Sequence, residues 1–357
     1  MKISRNKQRV FRIICVLAPV VAGVCVYFAF PRLFDWRAKG MDMNQGAWEA
    51  SYRERGLPVP EKGPREGYWG VRQEKGIPDP DLGWRESTQY VSELLHVDDY
   101  GRQFYISRAE SHQRILIIGG SVAFGWYASK IKHTYFNVLG RELEQQQTPT
   151  EIVVMASGAW KASQELVALQ QHAPLAKPNL VIFLNGLNDL TAGARYDTHF
   201  GVHVETLDGS TWDKFYHTHD YAARVKHYLQ SMRKAADYCG QNGLKMLVVL
   251  QPSLADRGNL SEREKKLLEA SLEPHKSRAA LMESYDQMRA GLRELAEAKH
   301  VWACDCSKVF DDEKQTTFSD LWHFSDFGHK ILGQRIAAAV APIFLPETDD
   351  AELDSSK

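Results

Sequence analysis

In Arg114-Ile115-Leu116-Ile117-Ile118-Gly119-Gly120-Ser121, four consecutive aliphatic residues run into two glycines and a serine. A short continuous apolar run rich in branched side chains reads as a strand buried on both faces of a sheet. The glycines allow a sharp turn and leave the serine hydroxyl at the strand's carboxyl end. A serine hydroxyl becomes a useful nucleophile only when a neighbouring base takes its proton. A strand ending in Gly-Gly-Ser is also an ordinary way to enter a helix, so this stretch alone points to a fold and not to an activity.

Four more runs of the same kind follow: Ile152–Met155, Leu180–Leu184, Met246–Leu250 and Val301–Cys304. Amphipathic segments separate them. In one, Leu281, Tyr285, Met288, Leu292 and Leu295 recur at spacings of four and three, which forms a single helix face suited to packing on a sheet. Alternating strands and helices predict a three-layer α/β/α sandwich around a five-stranded parallel sheet. In such sheets ligands bind beyond the carboxyl ends of the strands. Polar clusters fall at those ends: Ser121 after the first strand, Ser157-Gly158 after the second, Asn185-Gly186-Leu187-Asn188-Asp189 at the end of the third, and Asp320-Leu321-Trp322-His323 beyond the fifth. A carboxylate and an imidazole three positions apart, with a distant serine, supply the parts of a hydrolytic triad.

The ordered set resembles the SGNH (GDSL-like) hydrolase superfamily over roughly Arg114–Ile343. The matching blocks are Ile118-Gly119-Gly120-Ser121, Ala156-Ser157-Gly158-Ala159, Asn185-Gly186-Leu187-Asn188-Asp189, and the segment Asp320-Leu321-Trp322-His323 continuing to His329. The resemblance implies a flavodoxin-like SGNH fold. It makes Ser121 the nucleophile, His323 the general base and then acid, and Asp320 the carboxylate that holds the imidazole. It also implies an oxyanion hole combining the backbone N–H groups of Ser121 and Gly158 with the side-chain amide of Asn188. The family's Gly-Asp-Ser reads Gly119-Gly120-Ser121 here, and Val122 replaces the leucine that follows. That aspartate is not a triad member, so its replacement by Gly120 leaves the chemistry in place while changing the local hydrogen bonding.

Other readings fit less well. An α/β-hydrolase wants Gly-x-Ser-x-Gly, and position 123 is Ala. Gly119–Gly125 matches neither the dinucleotide nor the Walker pattern. Asp320, His323, Asp326 and His329 have a spacing a metal could use, but a metal site leaves Ser121, Gly158 and Asn188 unexplained; Asp326 is expected to cap the final helix and His329 to lie in its first turn. No cofactor or metal is therefore expected. With 44 Lys and Arg against 45 Asp and Glu, the formal charge is −1, which gives no global basic field for nucleic acid.

Basic residues Lys2, Arg5, Lys7, Arg9 and Arg12 precede an uncharged apolar run from Ile13 to Phe30. A helix of that length spans about 27 Å, close to a bilayer's hydrocarbon thickness. No small-residue cleavage pattern ends it, so an uncleaved signal anchor is expected, with the basic end in the cytoplasm and the rest of the chain across the membrane. The expected organisation is a cytoplasmic N-terminus over 1–12, a transmembrane helix over 13–30, a stalk and irregular lead-in over 31–110, the hydrolase domain over 111–345 and a disordered acidic tail over 346–357. Cys304 and Cys306 should share one strand face as small buried hydrophobes. A bridge from Cys239 to either of them is left open.

The segment 191–220 carries Tyr196, Phe200, Trp212, Phe215 and Tyr216 and is long for a connection, so a role bordering the site is expected, as is self-packing of a lid. Two function classes remain. The first is a serine ester hydrolase outside the cytoplasm that removes O-acyl groups from a carbohydrate or cleaves a lipid or small ester. An O-acyltransferase would use the same residues. The second is an anchored, non-catalytic domain that binds a glycan or a partner, which has no need of the Ser121/Gly158/Asn188/Asp320/His323 set.

Overall fold

The computed structural model describes residues 43–60, 77–79, 81–85, 102–105, 110–191, 220–271 and 278–344. The chain divides into two compact units, residues 1–46 and 47–357. Of the first, only residues 43–46, the start of a helix, are described. The expected membrane anchor, the aromatic segment 192–219 and the acidic tail lie outside the described residues. Among those described, no helix is long and apolar enough to cross a membrane.

The larger unit begins within a helix over residues 43–53 (α1). Two short strands, β1 (Ile77–Asp79) and β2 (Gly83–Arg85), pair antiparallel. The main sheet contains β3 (Arg102–Tyr105), β4 (Gln113–Gly119), β5 (Thr150–Ala156), β6 (Leu180–Asn185), β7 (Lys245–Leu250) and β8 (Val301–Asp305), in the order β3-β5-β4-β6-β7-β8. Its helices are α2 (Ser121–Phe124), α3 (Tyr135–Gln145), α4 (Ala162–Ala176), α5 (Leu187–Thr191), α6 (Tyr221–Gln241), α7 (Glu262–Ser271), α8 (Arg278–Leu295) and α9 (Asp326–Phe344).

The sheet is six-stranded and mixed, which corrects the expected five-stranded parallel one. The five apolar runs do form parallel neighbours β5-β4-β6-β7-β8. The sixth strand, β3, pairs antiparallel with β5 at the edge. Its sequence, Arg-Gln-Phe-Tyr, is short and polar, and three of its four residues are only half-buried. A rule that seeks continuous apolar runs passes over such a strand. Its buried Gln103 donates to the Phe124 carbonyl at 3.0 Å, which ties the lead-in to the end of α2.

Right-handed crossovers place α3 on one face and α4, α6 and α8 on the other, because the chain reverses direction across the sheet after β5. The closing α9 packs beside α3. The central strands β4 and β6 are buried along their apolar lengths, whereas edge strand β8 exposes Ala303 and Asp305. Leu281, Tyr285, Met288 and Leu292 form the buried face of α8, as their spacing predicts; Leu295 is half-buried. Cys304 and Cys306 share a face, with their sulfurs 3.6 Å apart as free buried thiols. Cys239 is a free thiol buried on α6, and burial pushes its pKa up to about 12.

A polar network crosses the core under β6. Tyr228 donates to Asn185 Oδ1 at 3.0 Å, and Asn185 Nδ2 donates to Glu165 on α4. Glu165 is fully buried, and its second oxygen has no hydrogen-bond partner among the described residues. Burial, reinforced by nearby Asp189, holds its carboxyl well above the usual carboxylate range. The folded protein therefore keeps a proton that the unfolded chain releases above its ordinary pKa of about 4.3. Stability from this group is full at low pH and falls as pH rises toward neutrality. Glu165→Gln keeps an acceptor for Asn185 and removes the titration. In denaturant melts, the variant should match wild type near pH 4 and exceed it at pH 8. A difference that does not change with pH would contradict this.

Candidate active site

β4 ends at Gly119 and α2 starts at Ser121, with Gly120 extended between them at φ −86° and ψ −153°. Both glycines are closely approached by neighbouring atoms. A Cβ on Gly119 would lie 2.3 Å from the Leu184 carbonyl oxygen and 2.6 Å from Ala123 Cβ. A Cβ on Gly120 would lie 2.2 Å from Asn188 Nδ2. The departure from Gly-Asp-Ser thus has a local counterpart, since the Asn188 amide occupies the space a side chain at position 120 would fill.

Ser121, His323 and Asp320 form one continuous hydrogen-bonded chain. Ser121 Oγ is 2.8 Å from His323 Nε2, across 202 residues of sequence. His323 Nδ1 is 2.7 Å from Asp320 Oδ2. Asp320 Oδ1 accepts the backbone N–H groups of Trp322 at 2.8 Å and His323 at 2.7 Å, so the carboxylate is held at both oxygens. Burial opposes its charge, but the adjacent His323 and these N–H donors keep its pKa below the usual carboxylate range. An ionised Asp320 has only acceptors, so His323 carries its proton on Nδ1 and presents a bare Nε2 to the Ser121 hydroxyl.

The loop bearing Asp320 and His323 is fastened from several sides. Ser319 N donates to the His323 carbonyl at 2.8 Å, and Ser325 N to the Thr317 carbonyl at 3.0 Å. Phe310, Phe318 and Phe324 pack edge to face beneath it. Buried Glu264 accepts Thr317 N at 2.9 Å and Phe318 N at 3.0 Å, and pairs with buried Arg257.

The register explains how the remaining polar groups reach the site. Gly119 lies opposite Ala156 on β5 and Leu184 on β6. Ser121 and Gly158 therefore each stand two residues beyond paired positions, and Asn188 follows closely at the start of α5. This edge is the switch point where the connections leaving β4 and β6 run in opposite directions across the sheet, where such folds form a crevice. Asn188 Nδ2 donates to the Trp160 carbonyl at 2.9 Å, while Asp189 accepts from Ala162 N at 3.2 Å. These neighbours pin the segment after Gly158 from two directions. Burial pushes the Asp189 carboxyl up to about 7, against the lowering effect of the Ala162 N–H and of Lys161 and Arg224.

Asp326 and His329 lie in the first turn of α9, but their side chains point elsewhere. Instead of capping its own helix as expected, Asp326 accepts Ser129 N at 2.7 Å and Ser129 Oγ at 2.5 Å, and meets His133 Nδ1 at 2.7 Å. With Tyr52 and Phe327 it lines a cavity of about 400 Å³ that Ser121 does not border. His329 is fully buried, its Nε2 lies 2.9 Å from the Trp126 carbonyl, and burial lowers its pKa to about 4. Sequence reasoning also missed the wall of His323. The Tyr127 ring lies 5.0 Å from the imidazole at 9°, and the Trp126 ring 5.3 Å from it at 28°. Only their closeness to Ser121 in sequence hinted at this.

The sequence profile of the GDSL-like lipase/acylhydrolase family matches residues 117–331. No curated relative matches the sequence significantly. Among solved structures, the chain is similar to a lipase/acylhydrolase from Enterococcus faecalis, with 15% identity, a TM-score of 0.44, and coverage of 66% of this chain and 98% of that one. It is similar to a catalytic mutant of an acetylxylan esterase from Geobacillus stearothermophilus, with 16% identity, a TM-score of 0.42, and coverage of 65% and 96%. A further acetyl xylan esterase shares 13% identity at a TM-score of 0.42, over 64% of this chain and 99% of that one. The profile spans more than half of the chain and takes in the Ser121, Gly158, Asn188 and Asp320/His323 blocks, so the chain belongs to the GDSL-like lipase/acylhydrolase family and is a hydrolase of ester bonds.

Proposed function

We propose that Ser121 attacks the ester carbonyl and carries the acyl group as a covalent intermediate. The observation that supports this most directly is the unbroken chain Ser121 Oγ–His323 Nε2, His323 Nδ1–Asp320 Oδ2. His323 Nε2 takes the hydroxyl proton as the oxygen–carbon bond forms, and returns it to the leaving alcohol as the ester bond breaks. Water then attacks the acyl-enzyme by the same route in reverse, giving the acid and free Ser121. Asp320 fixes the tautomer and offsets the imidazolium charge. The Ser121 and Gly158 N–H groups and the Asn188 amide receive the developing oxyanion. The acyl group is carried by a carbohydrate, a lipid or a small ester. The basic residues before Ile13 and the apolar run to Phe30 support an anchor that holds this chemistry outside the cytoplasm.

Four variants test the roles. Ser121→Ala should abolish p-nitrophenyl acetate turnover, and Asp320→Asn should lower kcat by about 10³–10⁴-fold because the wrong tautomer is then favoured. Wild-type turnover by Ser121→Ala would sink the assignment. Asn188→Ala should lower kcat by about 10²–10³-fold, with a smaller change in KM. Gly120→Asp, which restores the family's usual signature, should also lower kcat, because its Cβ displaces the Asn188 amide. An equal or faster Gly120→Asp enzyme would show that the amide's place is unimportant. For location, a reporter fused after residue 345 should be accessible outside the cytoplasm, and a signal confined to the cytoplasm would refute the anchor's orientation.

A further inference from the structure

The turn after α2 is held in an unusual shape. Gly125 has φ 91°, and two residues later Tyr127 has φ 70°. A bulky aromatic residue rarely adopts that conformation, and such outliers persist only where the surroundings impose them. Here the restraints are specific. Trp126 N donates to the Ser121 carbonyl at 3.1 Å. The Trp126 carbonyl meets His329 Nε2 at 2.9 Å. The Tyr127 carbonyl accepts the indole N–H of Trp48 at 3.1 Å, and Ser129 N is held by Asp326 at 2.7 Å. Trp48 is fully buried on α1, where it packs against Tyr52 and Tyr127. The result of this local distortion is that the Tyr127 ring lies nearly parallel to the His323 imidazole, 9° off at 5.0 Å.

We propose that Tyr127 is a positioning residue for His323, and that helix α1 of the lead-in holds it in place through the Trp48–Tyr127 hydrogen bond. The inference rests on the reading of Ser121 and His323 as nucleophile and base. Both imidazole nitrogens are already committed, one to Asp320 and one to Ser121, so an in-plane shift of the ring costs both contacts at once. Hydrogen bonds along the ring's edge restrain it in its own plane but leave tilting to whatever packs on its face. Tyr127 supplies the more nearly parallel of two stacked rings, the Trp126 ring lying 5.3 Å away at 28°. The Tyr127 π surface also attracts the positive charge the imidazole acquires when it accepts the serine proton. The lead-in is thereby part of the catalytic framework as well as a connection to it.

The test uses the full-length protein with p-nitrophenyl acetate as probe, reading kcat, KM and the melting temperature. Tyr127→Leu keeps the backbone strain and loses the aromatic face; it should lower kcat by about tenfold with KM within about twofold. Tyr127→Phe keeps the face and should restore kcat to well above that of Tyr127→Leu. Trp48→Phe keeps a buried ring but removes the N–H donor, and should lower kcat severalfold while still melting cooperatively. Wild-type kcat in Tyr127→Leu overturns the proposal, as does a Tyr127→Phe variant as slow as Tyr127→Leu. Should Tyr127→Leu fail to fold, Trp48→Phe decides: a reduced kcat supports the proposal and an unchanged one overturns it. Ser121→Ala, run alongside, separates the two levels. Turnover surviving in Ser121→Ala would bring down the site reading itself, whereas an inactive Ser121→Ala beside a fully active Tyr127→Leu brings down only this inference.

Discussion

Gly119 lies opposite Ala156 on one neighbouring strand and Leu184 on the other, and the rest of the site follows from that register. It brings the ends of three strands level at one sheet edge. Ser121, Gly158 and Asn188 lie just beyond those ends, each at or near a helix start. A slip of one residue in any of the three strands would turn its buried side chains to the opposite face. Because β4 and β6 are buried along their apolar lengths, such a slip is costly, and the core's demand for apolar contact also fixes the polar groups.

Asp320 and His323 have no such register to rely on, since they arrive on a loop beyond the last strand. The molecule compensates with buried polar anchors. Glu264 takes two backbone N–H groups of this loop while paired with Arg257, and both side chains are almost wholly inaccessible. Removing one member of a buried ion pair costs about 3–5 kcal/mol because the other charge is left stranded. Such a pair is a poor source of net stability but an effective means of fixing a loop in one place. Glu165 and Asp189 form a second buried polar group near Asn188, where burial pushes both carboxyls toward the protonated form. Glu264 and Asp189 each hold backbone N–H groups near the reacting atoms, which is what their burial accomplishes.

How much of this could be read from the sequence depended on the range of the signal. The five apolar runs announced themselves, because a strand buried on both faces must be apolar at consecutive positions. The four polar blocks were legible because each sits immediately after such a run, or, for Asp320 and His323, in a recognisable family pattern. β3 was not legible: an edge strand of four residues, one of them a buried glutamine, carries no periodicity. The role of Gly120 appeared only when Asn188 was seen against it. Tyr127 was hidden for a different reason, because a positive φ at a non-glycine residue leaves no mark in sequence and its restraint comes from Trp48, 79 residues away. Asp326, expected to cap its own helix, instead reaches Ser129 and His133, since a carboxylate follows the donors that packing supplies.

The central claim is that a single serine at this sheet edge is made nucleophilic by the imidazole beside it. The most direct measurement is peptide mapping by mass spectrometry after brief treatment with a fluorophosphonate, with His323→Ala run in parallel. The account predicts one covalent adduct, on the peptide carrying Ser121, with loss of turnover in step with labelling and little labelling in His323→Ala. An adduct on another residue, or full turnover by protein labelled at Ser121, would contradict it.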